Sequence, residues 1–442
     1  MSGGIFVNQD KIRPGAYLNF VAVDEPSIYI GERGTAIMAI PLSWGDTSQL
    51  IEVESRDLIN GKSLPKIGLT GYDTEAKLLN LVLSNAQKVL IYRLNREGVK
   101  ATATLNNLTA EARYGGLFGN NLSVAIIANA DRFDVVTYLN GEVVDRQTAS
   151  TIAELLDNKY VNFTGTGALE ATAGTSLAGG TDGSYVAATE FDNFLRLARV
   201  AKWNTMAVPV DAATANQLVA EFITDVRNNE GKYVQAVLSN YNAADEEGII
   251  NNINGCVING VTITAEEFTA WVAGATAGAD VITSNTGKVV EGATSIVGLL
   301  NSEEITDALK VGKFVLSLNQ NGQVKVEKDI NSLHTFTPVK SYAFSKNRVS
   351  RVLDEIGTTI SSIWETTFLG KVSNNEDGRN IFKSTIISYL TSLQDIGAIQ
   401  EFEGNSDVTV EAGEAIDAVE AEIRIKPVDS MEFLYMTISV NS

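Results

Sequence analysis

The stretch Val326–Glu403 contains three linked strings that decide the architecture of the last part of the chain. They read VEKDINSLHTFTP (326–338), FSKNRVSRVLDEI (344–356) and GRNIFKSTIISYLTSLQDIGAI (378–399). Apolar residues from Val349 to Ile363 recur at the spacing of one helix face. The pattern predicts two long helices, Lys346–Leu369 and Gly378–Ile396, joined by a polar turn-rich link.

Two strand-like segments follow these helices. Apolar and charged residues alternate along VEAEIRIKP (Val419–Pro427), which is the pattern of a half-buried strand. The string MEFLYMTISVNS (Met431–Ser442) is also rich in strand-forming residues. The last part of the chain is therefore predicted to be an α+β region that ends in a strand.

Upstream of these strings, short apolar strands alternate with amphipathic helices. Such alternation predicts βαβ units and a mostly parallel sheet covered by helices on both faces. The predicted strands are TAIMAI (35–40), KVLIYRL (88–94), TMAVPV (205–210), YVQAVLSN (233–240) and KFVLSLN (313–319), and the predicted helices are 75–86, 190–203 and 215–228.

The alternation is interrupted between Gly98 and Gly183, where Thr, Ala, Gly and Asn dominate and the strands are short. Asn140-Gly141 lies between two strand-like runs and predicts a type I′ hairpin. The interruption ends with LAGGTDG (Leu177–Gly183). Its glycines favour a tight turn over a phosphate site, although a predicted helix follows near Thr189. We interpret this stretch as a small β-rich domain inserted into the core.

The predicted fold class is multidomain α/β and α+β. An α/β sheet core carries the inserted β-rich domain, and an α+β C-terminal domain follows, with strand arms at the chain ends. The predicted divisions are an N-terminal arm and entry strand (1–24), a core (25–97 and 184–335), the inserted domain (98–183) and the C-terminal domain (336–442), which ends in a strand arm (428–442).

Composition limits the classes of function. The 442 residues carry a formal net charge of −20, which argues against nucleic-acid binding and attachment to anionic membranes. A single cysteine excludes an internal disulfide. The N-terminal residues lack the pattern of a secretory signal, and no apolar run is long enough to span a bilayer. We expect a protein made in a cytoplasm, without membrane insertion.

The sequence gives little support for catalysis. His334 is the one histidine and Cys256 the one cysteine, so zinc clusters are excluded, and both residues are interpreted as packed side chains. The Gly61-Lys62-Ser63 string lacks the earlier glycine of a phosphate loop, because Arg56 occupies that position. A calcium-loop reading of SNNEDGRN would put Ser384 where a bidentate glutamate is required. We therefore predict no catalytic residue, no metal ligand and no cofactor.

Charge is distributed unevenly in the last hundred residues. Lys340, Lys346, Arg348 and Arg351 form a basic run, whereas residues 401–442 hold ten acidic residues against two basic ones. Opposite charges at separate places on one molecule support head-to-tail assembly of its copies. Two solvated faces of one molecule explain the same pattern equally well.

The chain ends supply a second indication of assembly. Each carries backbone donors and acceptors that require a sheet partner. Either end could pair within its own molecule, which is the usual outcome, or add a strand to the sheet edge of a neighbouring copy.

The three strings, together with LAGGTDG, resemble contractile-tail sheath proteins of bacteriophages and phage-tail-like bacteriocins. The resemblance covers most of the chain. It implies stacked hexameric rings of this chain around a tail tube, contraction that drives the tube through a target envelope, and no nucleotide. It also implies baseplate and tail-terminator partners, a place in a virion tail or phage-tail-like particle, and assembly in a host bacterial cytoplasm.

The resemblance gives roles to particular residues. It implies that an N-terminal arm within Ile5–Phe20 and a C-terminal strand within Met431–Val440 both join neighbouring copies, and we add a candidate tube contact in the basic run. The residues are Ile5, Val7, Tyr17, Leu18 and Phe20 for the arm, Phe433, Leu434, Tyr435, Met436, Ile438 and Val440 for the strand, and Lys346, Arg348 and Arg351 for the tube contact.

Two other classes remain as alternatives. One is an α/β hydrolytic enzyme that uses carboxylates, because a carboxylate pair in a cleft is compatible with this sequence. The other is a surface-layer or adhesin protein, against which the missing secretion signal argues.

Overall fold

The computed structural model describes residues 33–440 and two short strands near the start of the chain. Those strands, β1 (Gly3–Gly4) and β2 (Ala16–Tyr17), pair in parallel within residues 1–32, which form a unit of their own. Residues 33–442 form the second unit, to which the following description applies.

The second unit opens with the first half of an α/β layer. Gly68 has a positive φ of 71° and ends the short helix that precedes the apolar α3. The elements are β3 (Thr35–Ile40), β4 (Ile51–Glu54), α1 (Ser55–Ile59), α2 (Leu64–Ile67), α3 (Lys77–Leu83) and β5 (Lys88–Arg93).

A β-rich region follows β5 and forms its own sheets. Its strands are β6 (Thr102–Leu105), β7 (Leu108–Ala112), β8 (Leu122–Asn129), β9 (Arg132–Leu139), β10 (Glu142–Ala149), β11 (Val161–Gly165) and β12 (Thr172–Ser176). They form sheets of order β10-β9-β8-β12 and β11-β7-β6. Asn140 and Gly141 both have positive φ, 51° and 87°, so the predicted hairpin turn between β9 and β10 is confirmed.

The α/β alternation then resumes. The helices are α4 (Ala187–Val200), α5 (Ala213–Glu230), α6 (Ala265–Gly278) and α7 (Ser302–Lys310). The strands are β13 (Thr205–Ala207), β14 (Gln235–Ser239), β15 (Ile249–Asn252), β16 (Gly255–Ile258), β17 (Val261–Ile263), β18 (Ala293–Val297), β19 (Lys313–Phe314), β20 (Leu316–Leu318) and β21 (Val324–Val326).

Within residues 33–440, the main sheet has seven strands in the order β19-β15-β14-β13-β3-β5-β4. Every neighbouring pair is parallel except β4–β5. Alternate residues of β3 face opposite ways: Met38 packs with α3 and α6, whereas Ile37 packs with α4 and α5. Both faces are thus covered by helices, as a parallel sheet requires.

Two side chains, Trp44 and Asp182, connect the β-rich region to the main sheet. Trp44, in the loop after β3, is fully buried in the β-rich core and contacts Tyr114 and Phe118. Asp182 of LAGGTDG accepts hydrogen bonds from the Ser43 hydroxyl and the Leu117 amide at 2.9 Å each. The glycine-rich string is therefore a tight junction between the two parts.

The last part of the chain combines two long helices with short strands. Its elements are α8 (Asn347–Ile363), α9 (Glu376–Asp395), β22 (Ile399–Gln400), α10 (Gly404–Asp407), β23 (Val408–Ala412), β24 (Val419–Ile423) and β25 (Lys426–Pro427). β23 pairs with β24, and β22 pairs with β25. In the described part of the chain, no helix is long and apolar enough to cross a membrane.

Three predicted elements are shortened or divided in the structure, and the described residues 431–440 of the predicted last strand do not form a strand. The α-helical part of the first long helix ends at Ile363. A π-helical turn, Trp364–Phe368, follows it and stacks the Trp364 ring on the Phe368 ring. The strand predicted at 313–319 divides, because its first half joins the main sheet and its second half pairs with β21. The strand predicted at 419–427 also divides into β24 and β25, which have different partners.

A buried ion pair joins the main α/β layer to α8. Arg227 of α5 and Asp354 of α8 make a bidentate contact of 2.8 and 3.0 Å, and their side chains are 10% and 8% exposed. Next to it, Tyr233 packs directly against Gly357, where an added Cβ would lie 2.5 Å from the ring. The mixed α/β and α+β fold class predicted from sequence is the one observed.

Candidate functional site

The predicted N-terminal arm falls largely outside the described residues. Ile5, Val7, Leu18 and Phe20 lie outside them, and Tyr17 is described only as part of the backbone of β2. The role of these residues in joining neighbouring copies stays a prediction.

The predicted C-terminal strand is exposed and belongs to none of the sheets in residues 33–440. The exposed fractions of its candidate residues are 68% for Phe433, 83% for Leu434, 92% for Tyr435, 68% for Met436, 73% for Ile438 and 87% for Val440. In an extended strand, Leu434, Met436, Ile438 and Val440 share one face, because side chains alternate. The segment therefore presents a wholly apolar face without a sheet partner among the described residues.

The start of this segment is held in place. Val428 donates a backbone hydrogen bond to Ala398 at 3.0 Å, directly after the β22–β25 pairing. Four residues later, the Glu432 side chain is 7% exposed and forms an ion pair with Lys346. The exposed apolar face thus begins after a fixed root.

The basic run does not form the free surface that the tube-contact prediction requires. Lys346 is 3% exposed and pairs with Glu432 and with Asp429, the latter at 3.4 Å. Arg351 is 1% exposed, and its Nη2 atom lies 3.0 Å from Asp329. Neither side chain offers free surface in the isolated chain, and their contact with a tube stays an untested prediction.

Arg348 has a different environment. It is half-buried, and burial lowers the pKa of its guanidinium, an effect that Asp429 opposes and Arg351 reinforces. Of the three predicted residues it is the one with solvent-accessible surface, and its contact with a tube stays a prediction. Lys340, the first residue of the run, pairs with Glu247 at 2.6 Å.

A network of polar side chains surrounds Arg351. The Asp329 carboxylate accepts hydrogen bonds from the Arg351 guanidinium, from the Asn347 side chain at 2.8 Å and from the Asn285 amide at 2.9 Å. Arg33 is nearby, and burial together with the charge of Arg351 lowers its pKa to about 10. Lys346 and Arg351, which looked like part of a surface patch in the sequence, lie inside a charge cluster at the start of α8, whereas Lys340 and Arg348 keep exposed surface.

The sequence analysis did not predict the aromatic cavity beside the hairpin β23–β24. This hairpin has no third strand among the described residues, so both of its edges present unpaired backbone groups. A cavity of about 430 Å³ adjoins it, lined by Trp364, Phe368, Phe382, Ile416 and Val419 among others. The spacing of the aromatic residues was visible in the sequence, but their convergence depends on the π-helical turn.

The residues considered for chemistry have structural environments. The His334 ring lies 3.2 Å from Asp245, which also accepts hydrogen bonds from the amides of His334 and Thr335. Cys256 is fully buried, and burial raises the pKa of its thiol to about 12. In the part of the chain that the structure describes, no group of three or more His, Cys, Asp or Glu side chains could hold a metal ion.

A larger cavity of about 880 Å³ lies between α3 and the hairpin β16–β17. Its walls include Leu81, Val261 and Trp271, and the acidic residues Asp73 and Glu291 border it. The lining contains neither histidine nor cysteine. The cavity also carries polar side chains, among them Thr74, whose hydroxyl donates a hydrogen bond of 3.0 Å to Glu75.

Three family models match successive parts of the chain. They are described as the phage tail sheath protein beta-sandwich domain (96–182), the phage tail sheath protein central domain (185–332) and the phage tail sheath C-terminal domain (339–441). Together they run from the β-rich region through the main sheet to the exposed end of the chain.

Individual proteins match over the full length. The protein XkdK of the phage-like element PBSX of Bacillus subtilis (strain 168) is 35% identical, and the match covers 100% of both chains. The crystal structure of a sheath tail protein from Desulfitobacterium hafniense has a TM-score of 0.82 and 40% identity, and covers 95% of this chain and 98% of that one.

A more distant structure shares the fold. The helical sheath of the anti-feeding prophage in its contracted state has a TM-score of 0.57 and 12% identity, and covers 97% of this chain and 99% of that one. The similarity to the first two proteins extends over whole chains at substantial identity. This chain belongs to the phage tail sheath protein family.

Proposed function

We propose that this protein is a structural building block of a contractile tail. Copies of the chain assemble into stacked hexameric rings around a tail tube, and the sleeve shortens to drive the tube through a target envelope. The observation that carries the proposal is the apolar face of Leu434–Val440, whose four side chains lie next to one another and are each at least 68% exposed. The role is mechanical and does not include catalysis.

The exposed segment supplies the connection between copies. As an added strand, it forms main-chain hydrogen bonds with a neighbour and buries alternate side chains. The hairpin β23–β24 is the candidate acceptor, because its edges are unpaired and an aromatic cavity adjoins it. β24 supports this choice: its half-buried Val419 and Ile423 leave an apolar stripe that a neighbouring strand can extend.

The magnitude of one such connection follows from the residues involved. Burying Leu434, Met436, Ile438 and Val440 contributes about 9 kcal/mol at the middle of the usual range. About four ladder hydrogen bonds add about 4 kcal/mol. Ordering the segment costs about 1.5 kcal/mol for each residue, or about 10 kcal/mol. A single connection is then worth about 3 kcal/mol, so a stable sleeve requires many of them at once.

The remaining parts of the proposal concern location and partners. The protein functions in a virion tail or a phage-tail-like particle after assembly in the cytoplasm of a host bacterium. Its partners besides itself are a tail tube protein, a baseplate and a tail terminator. Membership of the sheath family supports this setting, and Arg348 is retained as the candidate contact with the tube.

The test compares two pairs of aspartates placed on opposite faces of the segment. Met436→Asp with Ile438→Asp places charge on the apolar face, and Thr437→Asp with Ser439→Asp adds the same charge on the other face. All four positions are exposed. Both variants should therefore fold and melt like the wild type, because surface substitutions change stability by less than about 0.5 kcal/mol.

Assembly is measured by negative-stain microscopy of the particles and by sedimentation of the purified chain. We expect the wild type to form tubes or rings, the variant of the apolar face to remain small, and the control pair to assemble. Normal tubes from the Met436 and Ile438 variant would refute the proposed connection. Small particles that turn over a substrate, without any tubes from the wild type, would favour an enzyme instead.

A further inference from the structure

A buried lysine lies at the root of the exposed segment. Lys346 precedes the first residue of α8, and its side chain is only 4% exposed. Its two acidic partners, Asp429 and Glu432, both come from the end of the chain. A buried ammonium requires a counter-charge, so the fold depends on the root for the pairing of this cation.

Glu432 is held from a second side. The Thr286 hydroxyl donates a hydrogen bond of 2.7 Å to its carboxylate and accepts one of 2.9 Å from the amide of Asp329. Asp329 is also the partner of Arg351. The root is therefore connected to the same network that holds the start of α8.

Phe433, the next residue, contacts the body of the protein through Lys328. The Lys328 ammonium lies 5.3 Å from the centre of the Phe433 ring and 5.2 Å from that of Tyr342, whose hydroxyl it also contacts at 2.6 Å. From Leu434 onwards the exposed fractions reach 68% or more at the apolar positions. Phe433 is itself 68% exposed, so the contacts of Glu432 and Phe433, and not exposure, place the boundary between the fixed and the free part between Phe433 and Leu434.

We propose that Lys346 is an anchor that fixes residues 429–433 to the body of the protein, so that the connecting arm begins at Leu434. Its functional meaning rests on the proposed function. The described part of the arm, Leu434–Val440, spans at most roughly 23 Å as a strand, whereas the stretch from Val428 to Val440 would span roughly 43 Å. The anchor shortens the reach and sets the direction of exit, which lowers the entropy lost when the arm binds a neighbour.

The anchor also has a consequence for a sleeve that changes shape. Pulling on the arm transmits force to the first turn of α8 and to the Asp329 network through Glu432. Force applied to an arm that was free from Val428 would reach only the short pairing of β22 with β25. The anchor thus links the connection between copies to the long helix of the C-terminal part.

The test is hydrogen exchange on the isolated chain, measured by mass spectrometry. Lys346→Met removes the buried charge and leaves Glu432 free to move into water, so no charge remains buried without a partner. We expect exchange in 428–433, where the amides of Val428 and Ser430 donate hydrogen bonds, to rise at least about tenfold, the equivalent of one lost charged hydrogen bond, while 434–440 exchanges rapidly in both proteins.

The matched control is Lys426→Met. It removes a lysine of β25 whose ion pair with Glu401 is exposed, with side chains 57% and 69% accessible. The control should leave exchange of the Val428 and Ser430 amides unchanged. If Lys346→Met also raises exchange within α8, Thr286→Val gives a milder test, because it removes only the hydroxyl that holds Glu432.

Unchanged exchange in 428–433 in both Lys346→Met and Thr286→Val, or rapid exchange of the Val428 and Ser430 amides in the wild type, would overturn the anchor. These outcomes do not depend on assembly. Failure of the wild type to form tubes would count against the proposed function and leave the anchor standing. With both proposals correct, Lys346→Met assembles at a higher protein concentration than the wild type, and Lys426→Met behaves like the wild type.

Discussion

The ion pair between Arg227 and Asp354 allows a quantitative test of how the main sheet and the C-terminal part are held together. Asp354→Asn keeps the shape of the side chain and removes its charge. The guanidinium of Arg227 would then lie at the α5–α8 joint with 10% exposure and without its close counter-ion. Its hydrogen bond of 3.0 Å to the carbonyl of Val234 would remain.

The magnitude follows from the geometry. Two unit charges whose centres lie roughly 4 Å apart attract by about 4 kcal/mol at an effective dielectric constant of 20. The asparagine oxygen still accepts one hydrogen bond, which returns about 1 kcal/mol. We therefore expect the variant to lose about 3 kcal/mol of unfolding free energy, within the range known for broken buried pairs.

The assays are urea unfolding followed by fluorescence and hydrogen exchange of the α8 peptides. The control is Asp307→Asn, which breaks an ion pair with Lys310 whose side chains are 68% and 66% exposed, and should cost less than about 0.5 kcal/mol. Replacing both partners, Arg227→Met with Asp354→Leu, should recover most of the loss. A loss below about 1 kcal/mol in Asp354→Asn, with unchanged exchange in α8, would refute the reasoning.

Three further outcomes are expected. Cys256 should resist thiol reagents in the native protein and react fully once the protein is unfolded, because it is fully buried and burial raises its pKa to about 12; rapid native labelling would contradict this. Gly357→Ala should destabilise the protein by about 1–3 kcal/mol, because the new methyl group would meet the Tyr233 ring at 2.5 Å, and Tyr233→Ala in the same chain should reduce that penalty in thermal unfolding. Burial alone raises the pKa of Glu247, but the hydrogen bond and charge of Lys340 hold that pKa below its ordinary value. The pair therefore stabilises the fold above a pH of about 4.5, and its contribution is lost as the pH falls through the lowered pKa of Glu247. The difference in melting temperature between wild type and Lys340→Met should therefore narrow below a pH of about 4, and a constant difference would exclude this pair as the cause.

Local patterns in the sequence were sufficient for most elements of the fold. Helical spacing predicted α8 and α9, and Asn140-Gly141 predicted the hairpin between β9 and β10. These predictions succeed because side-chain periodicity and the φ preferences of glycine and asparagine act within a few residues. Where two predicted strands divide, the break depends on which partner strand each half meets, and a local pattern carries no information about that.

The candidate site shows more clearly which features follow from the sequence and which depend on the tertiary structure. The sequence by itself determined that the last residues are apolar and rich in strand-forming side chains, because composition is a property of the chain alone, whereas their pairing as a strand stays a prediction. Only the tertiary structure decided that Lys346 and Arg351 lie inside the protein. A run of positive charge looks like a surface until Asp329, Asp429 and Glu432, distant in sequence, are brought against it. Burial of a charge depends on the partners that the fold supplies, and those partners are set by packing over the whole chain.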